Sequence, residues 1–237
     1  MVPGLVFSPD FAPVPCRGDS LFEVRQSKVT MLSPCLIHRK SLLRFLLLKT
    51  AAVRRGIKPG ELLRVKHCFT EKTPSGEPAC LHRRDILSIL ELDYIELLVE
   101  RESSLVLFYH TKAMEQALRD PANRAILTRC GYPSDADAGR MLAELKGRFL
   151  PGHTMPHEVG VFLGYPAKDV AGFMAHLPRT PVAHGRWAVY GDAGESLARM
   201  TQYRRIEAAA ERVLNVCGDP RTFLEHISTL NPTIGVM

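Results

Sequence analysis

The amino-acid sequence predicts an α+β fold, a mostly helical single domain with a small antiparallel sheet of about three strands. Three observations lead there. Two apolar runs, Tyr94 to Val99 and Leu105 to His110, are joined by the polar stretch Glu100-Arg101-Glu102-Ser103-Ser104 and read as a β-hairpin. A third short strand is expected at Arg186 to Tyr190. About nine helical segments, set apart by capping residues and by glycine and proline breaks, account for the rest.

The elements follow in chain order. Residues 1–30 are rich in Pro, Gly and Ser without a sustained period, and are expected to form a loosely packed arm before a domain spanning 31–237. Met31 offers an alternative start. From Ser41 to Arg55 the apolar residues cover more than one helical face, and Gly56 takes the place a C-terminal glycine prefers. Pro59 is suited to open a short helix through Leu63, and residues 70–80 are loop by composition. Asp85 to Glu91 is a short helix candidate. After the hairpin come helices at Lys112 to Asp120 and Pro121 to Cys130, broken at Gly131-Tyr132-Pro133. Ser134, with Asp137 three residues on, begins the next helix, which runs to about Phe149. Pro156 and Pro166 open two short tandem helices, 156–163 and 166–176. Asp192 and Glu195 signal the start of a long helix reaching about Val216, and Pro220 to Leu230 closes the chain as a last helix.

Composition narrows the functional classes. With 237 residues, 46% of them hydrophobic and 24% charged, the chain can bury an ordinary core, which excludes disorder throughout. The net charge of +6 is unevenly placed: residues 38–84 hold twelve Lys or Arg against three Glu, a local +9. Such a segment can steer an acidic partner. Its aromatic residues are Phe45 and Phe69 alone, too few for a stacking platform, so nucleic acid is not the expected partner. The six cysteines are widely spaced without a CxxC pair, which fits reduced thiols better than a disulfide framework. The N-terminus lacks a basic segment before an apolar one, so no signal peptide is expected. The longest apolar stretch, Leu42 to Val53, contains Arg44 and Lys49 and falls short of the ~20 residues that a membrane span needs. The expected setting is the cytoplasm, without a membrane.

Few constellations carry chemistry. His157-Glu158 suggests a zinc-protease motif, but position 161 is Val where the second His should stand, so no metal is expected there. His157 falls in the first turn of an expected helix, where the positive end of the dipole disfavours imidazolium; the ring would stay neutral and able to accept a proton. Glu158 would orient it. Cys68, Cys80, His67 and His82 match no zinc knuckle. Gly56-Ile57-Lys58-Pro59-Gly60 places a lysine between glycines before an expected helix start, where backbone amides can hold an anion, yet it lacks the pattern of a P-loop. Cys130 sits near a helix C-terminus, an environment that does not activate a thiol.

Residues 151–173 read Pro-Gly-His-Thr-Met-Pro-His-Glu-Val-Gly-Val-Phe-Leu-Gly-Tyr-Pro-Ala-Lys-Asp-Val-Ala-Gly-Phe, followed at Gly185 by Gly-Arg-Trp-Ala-Val-Tyr. This resembles the hallmark of the bacterial DUF3793 family. Ser104 to Tyr132 and Lys49 to Leu63 are similar to two further family passages, so the resemblance covers roughly residues 41–216. The motif positions are Lys58, His157, Glu158, Gly160, Gly164, Tyr165, Pro166, Asp169, Trp187 and Tyr190. The family brings no established activity, and so neither a catalytic residue nor a cofactor. Many relatives carry a Cys where Thr50 stands, and cysteines where Ala183-His184 stand, so thiol or metal chemistry based on those positions does not transfer. The resemblance also implies gene neighbourhoods with flavodoxin and ferrous-iron uptake, and a strongly acidic flavodoxin would suit the +9 segment.

Two functional expectations result. The first is a non-catalytic accessory protein docking an acidic partner on residues 38–84. The second is a small-ligand-binding protein or enzyme, with His157 as proton acceptor, Glu158 beside it and Lys58 holding an anion. Gly160 and Gly164 would then allow close approach, and Tyr165, Asp169, Trp187 and Tyr190 would be further ligand-binding positions.

Overall fold

The computed structural model describes residues 34–66, 70–72, 78–80, 90, 92–101, 103–175 and 180–217. The expectations for residues 1–30, for a helix at 85–91 apart from Leu90, for a last helix at 220–230 and for His67, Cys68 and His82 lie outside them.

The central element is a three-stranded antiparallel sheet in the order β1-β5-β4, built from β1 (Gly60–Lys66), β4 (Asp93–Val99) and β5 (Ser103–Tyr109). The β4–β5 hairpin is where the two apolar runs place it. Glu100 N donates to Ser103 O (2.9 Å) in the tight turn, and a bulge between Glu96 and Leu98 shifts the register. Strand β5 is buried on both faces from Ser104 to Phe108, as befits the middle strand, and Leu107 and Phe108 are fully enclosed.

The third strand of this sheet differs from the expectation. Gly60–Lys66 is extended instead of helical, and it pairs with β5 from Gly60↔Tyr109 to Lys66↔Ser103. The backbone N–H of His110 donates to Pro59 O at 3.0 Å, so Pro59 starts a ladder and not a helix. Pairing with a distant apolar strand outweighs the modest helix propensity of Glu-Leu-Leu. Leu63 and Val65 are buried while Arg64 between them is exposed, the period of a strand. The expected strand at Arg186 to Tyr190 shrinks to Ala188–Val189 (β7), which pairs with Ala183–His184 (β6) in a separate ribbon. Within the expected loop 70–80, Thr70–Lys72 (β2) and Pro78–Cys80 (β3) form another two-stranded ribbon.

One face of the sheet receives a layer of helices: α3 (Thr111–Arg119), α4 (Pro121–Arg129), α5 (Ala138–Arg148), α6 (Val159–Phe162) and α7 (Ala167–Phe173). Leu97, Leu105 and Leu107 from the strands meet Met114, Leu127, Met141, Leu145, Phe162 and Val170 in one apolar cluster. Burying each such side chain contributes roughly 1.5–3 kcal/mol. Local caps set the boundaries. Asp120 accepts from Ala122 N and Asn123 N (both 3.0 Å) ahead of Pro121 and starts α4. Asp137 accepts from Arg140 N (2.7 Å) and starts α5, so the cap is Asp137 and the helix begins four residues later than Ser134 suggests.

Helices α1 (Pro34–Lys49), α2 (Ala51–Arg54) and α8 (Gly194–Cys217) pack on one another. Gly56, with φ +63°, ends the first pair as the sequence implies. Along α8 the buried residues Met200, Tyr203, Ile206, Ala210 and Leu214 recur every three to four positions and form one face, and Leu43, Leu46, Leu47 and Val53 are buried on α1 and α2, against which α8 packs. No helix among the described residues is long and apolar enough to cross a membrane.

Candidate functional site

The stretch singled out by its motif folds as two consecutive short helices, the first a single turn and the second seven residues long. Pro156 O accepts from Val159 N (3.2 Å) and His157 O from Gly160 N (3.3 Å), which leads into α6. Pro166, with φ −54°, precedes α7, and its carbonyl accepts from Asp169 N (2.9 Å) and Val170 N (3.2 Å). Both prolines start a turn because their φ is already fixed at a helical value. Between the two, Gly164 has φ +73°, and a Cβ there would stand 2.5 Å from Pro59 Cδ and 3.3 Å from the Tyr203 hydroxyl. Only glycine permits both that conformation and that contact. At Gly160 a Cβ would lie 2.9 Å from Val170 and 3.0 Å from the Tyr165 ring, so this glycine lets α6 and α7 close on each other. The two glycines thus admit the protein's own side chains.

Asp169 sits in the first turn of α7 and is 2% exposed. Its Oδ1 accepts from Lys168 Nζ (2.8 Å) and the backbone N–H of Tyr190 (2.9 Å). Its Oδ2 accepts from the Trp187 indole N–H (2.7 Å) and the Ser196 hydroxyl (2.6 Å). Lys168 also donates to Ser196 Oγ (2.8 Å) and to the carbonyl of Tyr190 (3.1 Å). One carboxylate therefore ties α7, the β6–β7 ribbon and the start of α8 together. Burial alone would raise the Asp169 carboxyl, but the bonds from Lys168, Ser196, Tyr190 and Trp187 outweigh it and hold it below the usual carboxylate range.

An aromatic column continues from this junction. Tyr165 stacks on Trp187 with 4.5 Å between ring centres, and Tyr203 tilts against Trp187 at 6.4 Å. Lys58, 4% exposed, lies 5.5 Å from the Tyr203 ring centre and pairs with Glu61. Burial, reinforced by the Glu61 charge, pushes the Tyr165 phenol up, and burial does the same to Tyr203. Arg186 pairs with Glu207 on α8, and Arg199 donates to Gly164 O at 2.9 Å. The Tyr190 ring lies against Gly172, where a Cβ would come within 2.5 Å of it.

Glu158 belongs to a different junction. It is 6% exposed, and its Oε1 accepts from the Tyr132 hydroxyl (3.3 Å) and from Arg148 (3.2 Å). Arg148 lies over the Tyr132 ring at 4.1 Å and also binds Glu144 (3.0 Å). Burial and the Glu158 charge push the Tyr132 phenol far up and raise the neighbouring Cys130 thiol as well, the opposite of an activated nucleophile. His157, next in sequence to Glu158, is exposed, with its ring edge-on to Phe173 at 4.9 Å. The helix that follows is a single turn, so the dipole invoked for His157 is a small one.

A family model described as a protein of unknown function, DUF3793, matches residues 46–222, more than half of the chain. The chain belongs to the DUF3793 family. No curated protein and no solved structure is similar to it.

The DUF3793 motif positions thus fall into two internal junctions and one exposed ring. Asp169, Trp187, Tyr190 and Tyr165 meet at the first junction, and Lys58 reaches it through Tyr203. Glu158 anchors the second. Lys168, Ser196, Tyr203, Glu61, Tyr132 and Arg148 complete these junctions and were not singled out in the sequence. The adjacency of Lys168 to Asp169 and the i, i+3 spacing of Lys58 and Glu61 were the available signals. Among the described residues, no three His, Cys, Asp or Glu side chains gather in a metal-binding arrangement.

Proposed function

We propose that this DUF3793 protein is an accessory protein that docks an acidic partner through the basic segment 38–84, in a setting such as flavodoxin-linked iron or redox metabolism. The supporting observation is where the ionisable motif groups go. Asp169, Glu158 and Lys58 bond to neighbours within the fold, so the motif serves as a scaffold and recognition falls to the surface. The structure also trims the basic segment. Arg44 binds Leu214 O and Asn215, Arg54 binds Leu90 O, Lys58 binds Glu61, and Arg64 binds Glu100. Lys49 and Arg55 have no ion pair among the described residues and remain to meet an outside charge.

The test measures association with a purified flavodoxin and with an uncharged control protein. Binding is expected at about 0.01 M ionic strength, where the screening length is about 30 Å, and is lost at about 1 M, where it is about 3 Å. Absence of binding at the lower ionic strength overturns the proposal.

A second reading, a ligand-binding or catalytic site around His157 and Glu158, draws on the exposed His157 ring beside a buried carboxylate. Under it, His157→Ala abolishes binding of a co-purifying small molecule, identified by mass spectrometry, while leaving the melting temperature nearly unchanged. A variant that keeps the molecule at the wild-type level refutes it.

A further inference from the structure

An open surface groove of about 340 Å³ runs between α1 and α8. Phe45, Leu48 and Lys49 form one wall, and Arg204, Ala208 and Glu211 lie on the other with Glu207. Phe45 is 42% exposed and gives the groove an apolar wall, while Ala208 keeps the α8 wall low. Glu207 is already neutralised by Arg186. Lys49, Arg204 and Glu211 have no ion-pair partner among the described residues; Arg204 bonds only to the Thr201 hydroxyl, at 3.3 Å. The groove therefore presents two unpaired cations, Lys49 and Arg204, and one unpaired carboxylate, Glu211, around an apolar centre. A strongly acidic or strongly basic ligand would leave one of them opposed.

The spacing selects the occupant. Arg204 and Glu211 are seven residues apart on one helix, which puts them on the same face about 10 Å apart along its axis. Their midpoint falls at Glu207–Ala208. When two such helices pack antiparallel about a two-fold axis through that midpoint, Arg204 of each copy meets Glu211 of the other, and the small Ala208 lies at the crossing. This is the self-complementarity that an isologous interface requires. We infer that the α1–α8 groove is a homodimer interface, occupied by the α8 helix of a second copy of this chain. Two reciprocal Arg204–Glu211 pairs flank the Ala208 crossing, and Phe45 and Leu48 supply its apolar contact. This inference is independent of the proposed function, since an acidic partner can still reach Arg55.

Sedimentation of the full chain and of two variants tests it. Wild type is expected to dimerise. Arg204→Glu leaves two like-charged acidic positions facing each other across each pair, and Glu211→Arg leaves two basic ones, so each variant alone should dimerise at least ~10-fold more weakly. Mixing the two variants in equal amounts restores opposite charges at both contacts and should restore the dimer. Both side chains are exposed, so circular dichroism is expected to show intact folds. A wild-type chain that stays monomeric, variants that dimerise as tightly as wild type, or a mixture that fails to recover would each overturn the inference.

Discussion

Replacing Asp169 by Asn keeps the size of the side chain and removes its charge. Four donors converge on the two carboxylate oxygens: Lys168 Nζ, the Trp187 indole, the Ser196 hydroxyl and the Tyr190 backbone N–H. An amide offers a single oxygen and turns two N–H donors toward groups that are themselves donors. The Ser196 hydroxyl can rotate away, but the indole and the backbone N–H cannot. At least one buried donor is then left unsatisfied, at roughly 1–3 kcal/mol, and the charge-assisted bonds weaken further. Lys168 is one-third exposed and finds water, so the sum lies at the lower end for breaking a buried pair, about 3 kcal/mol. In a chain of this size that corresponds to a melting temperature lower by about 6–12 °C. Denaturant unfolding followed by far-ultraviolet circular dichroism should show the midpoint shift without a change in slope. A loss below about 1 kcal/mol would refute the claim that this carboxylate holds three elements together. The pH dependence gives a second check. Because the folded carboxyl ionises at lower pH than the unfolded one, its contribution is complete above the unfolded value near about pH 4 and fades as pH falls through the folded value. The Asn variant should lose that part of the acid slope.

Gly164→Ala should destabilise by about 2 kcal/mol or more, since a left-handed backbone and a Cβ pressed on Pro59 add together; thermal melts measure it, and a near-neutral result would mean that Pro59 is not in contact. Glu158→Gln should lower stability by about 1–2 kcal/mol, because Arg148 keeps Glu144 but loses its buried partner, and equal urea midpoints would show that pair to be idle. His157→Ala should change stability by less than about 1 kcal/mol, since its ring is exposed and meets Phe173 edge-on, and a larger loss would mark His157 as structural. Arg55→Glu should weaken association with an acidic partner at low ionic strength and leave the high-salt baseline where it was; binding unaffected by the change would move the docking surface elsewhere.

Local signals carried much of the architecture. The polar gap between two β-rich runs located the hairpin, Pro121 and Gly131 bracketed a helix, and Asp192, which accepts from Gly194 N (3.1 Å), marked the start of α8. Strand β1 was not legible because Pro59-Gly60 followed by Glu-Leu-Leu satisfies a helix start locally, whereas the decision lies with β5, where Glu61 to Leu63 find partners more than forty residues away. The alternation of Leu63, Arg64 and Val65 was the one hint. The Asp169 junction was hidden for the same reason. Its residue appeared among the motif positions, but the chemistry depends on partners 18 to 27 residues further on, and nothing in residue type distinguishes a carboxylate aimed at ligand from one aimed at an indole. Glu158 was expected to orient His157, yet the chain turns its carboxylate inward to Tyr132 and Arg148.

Trp187 is the sole tryptophan of the chain, and it lies flat on Tyr165 with its nitrogen bound to Asp169. Intrinsic fluorescence excited at the red edge of protein absorption therefore originates at a single place, the seam where the ribbon meets α7 and α8. Its emission maximum reads the wetness of that seam alone, so a spectrum that reddens before helical signal is lost would time the opening of this corner against the melting of the rest.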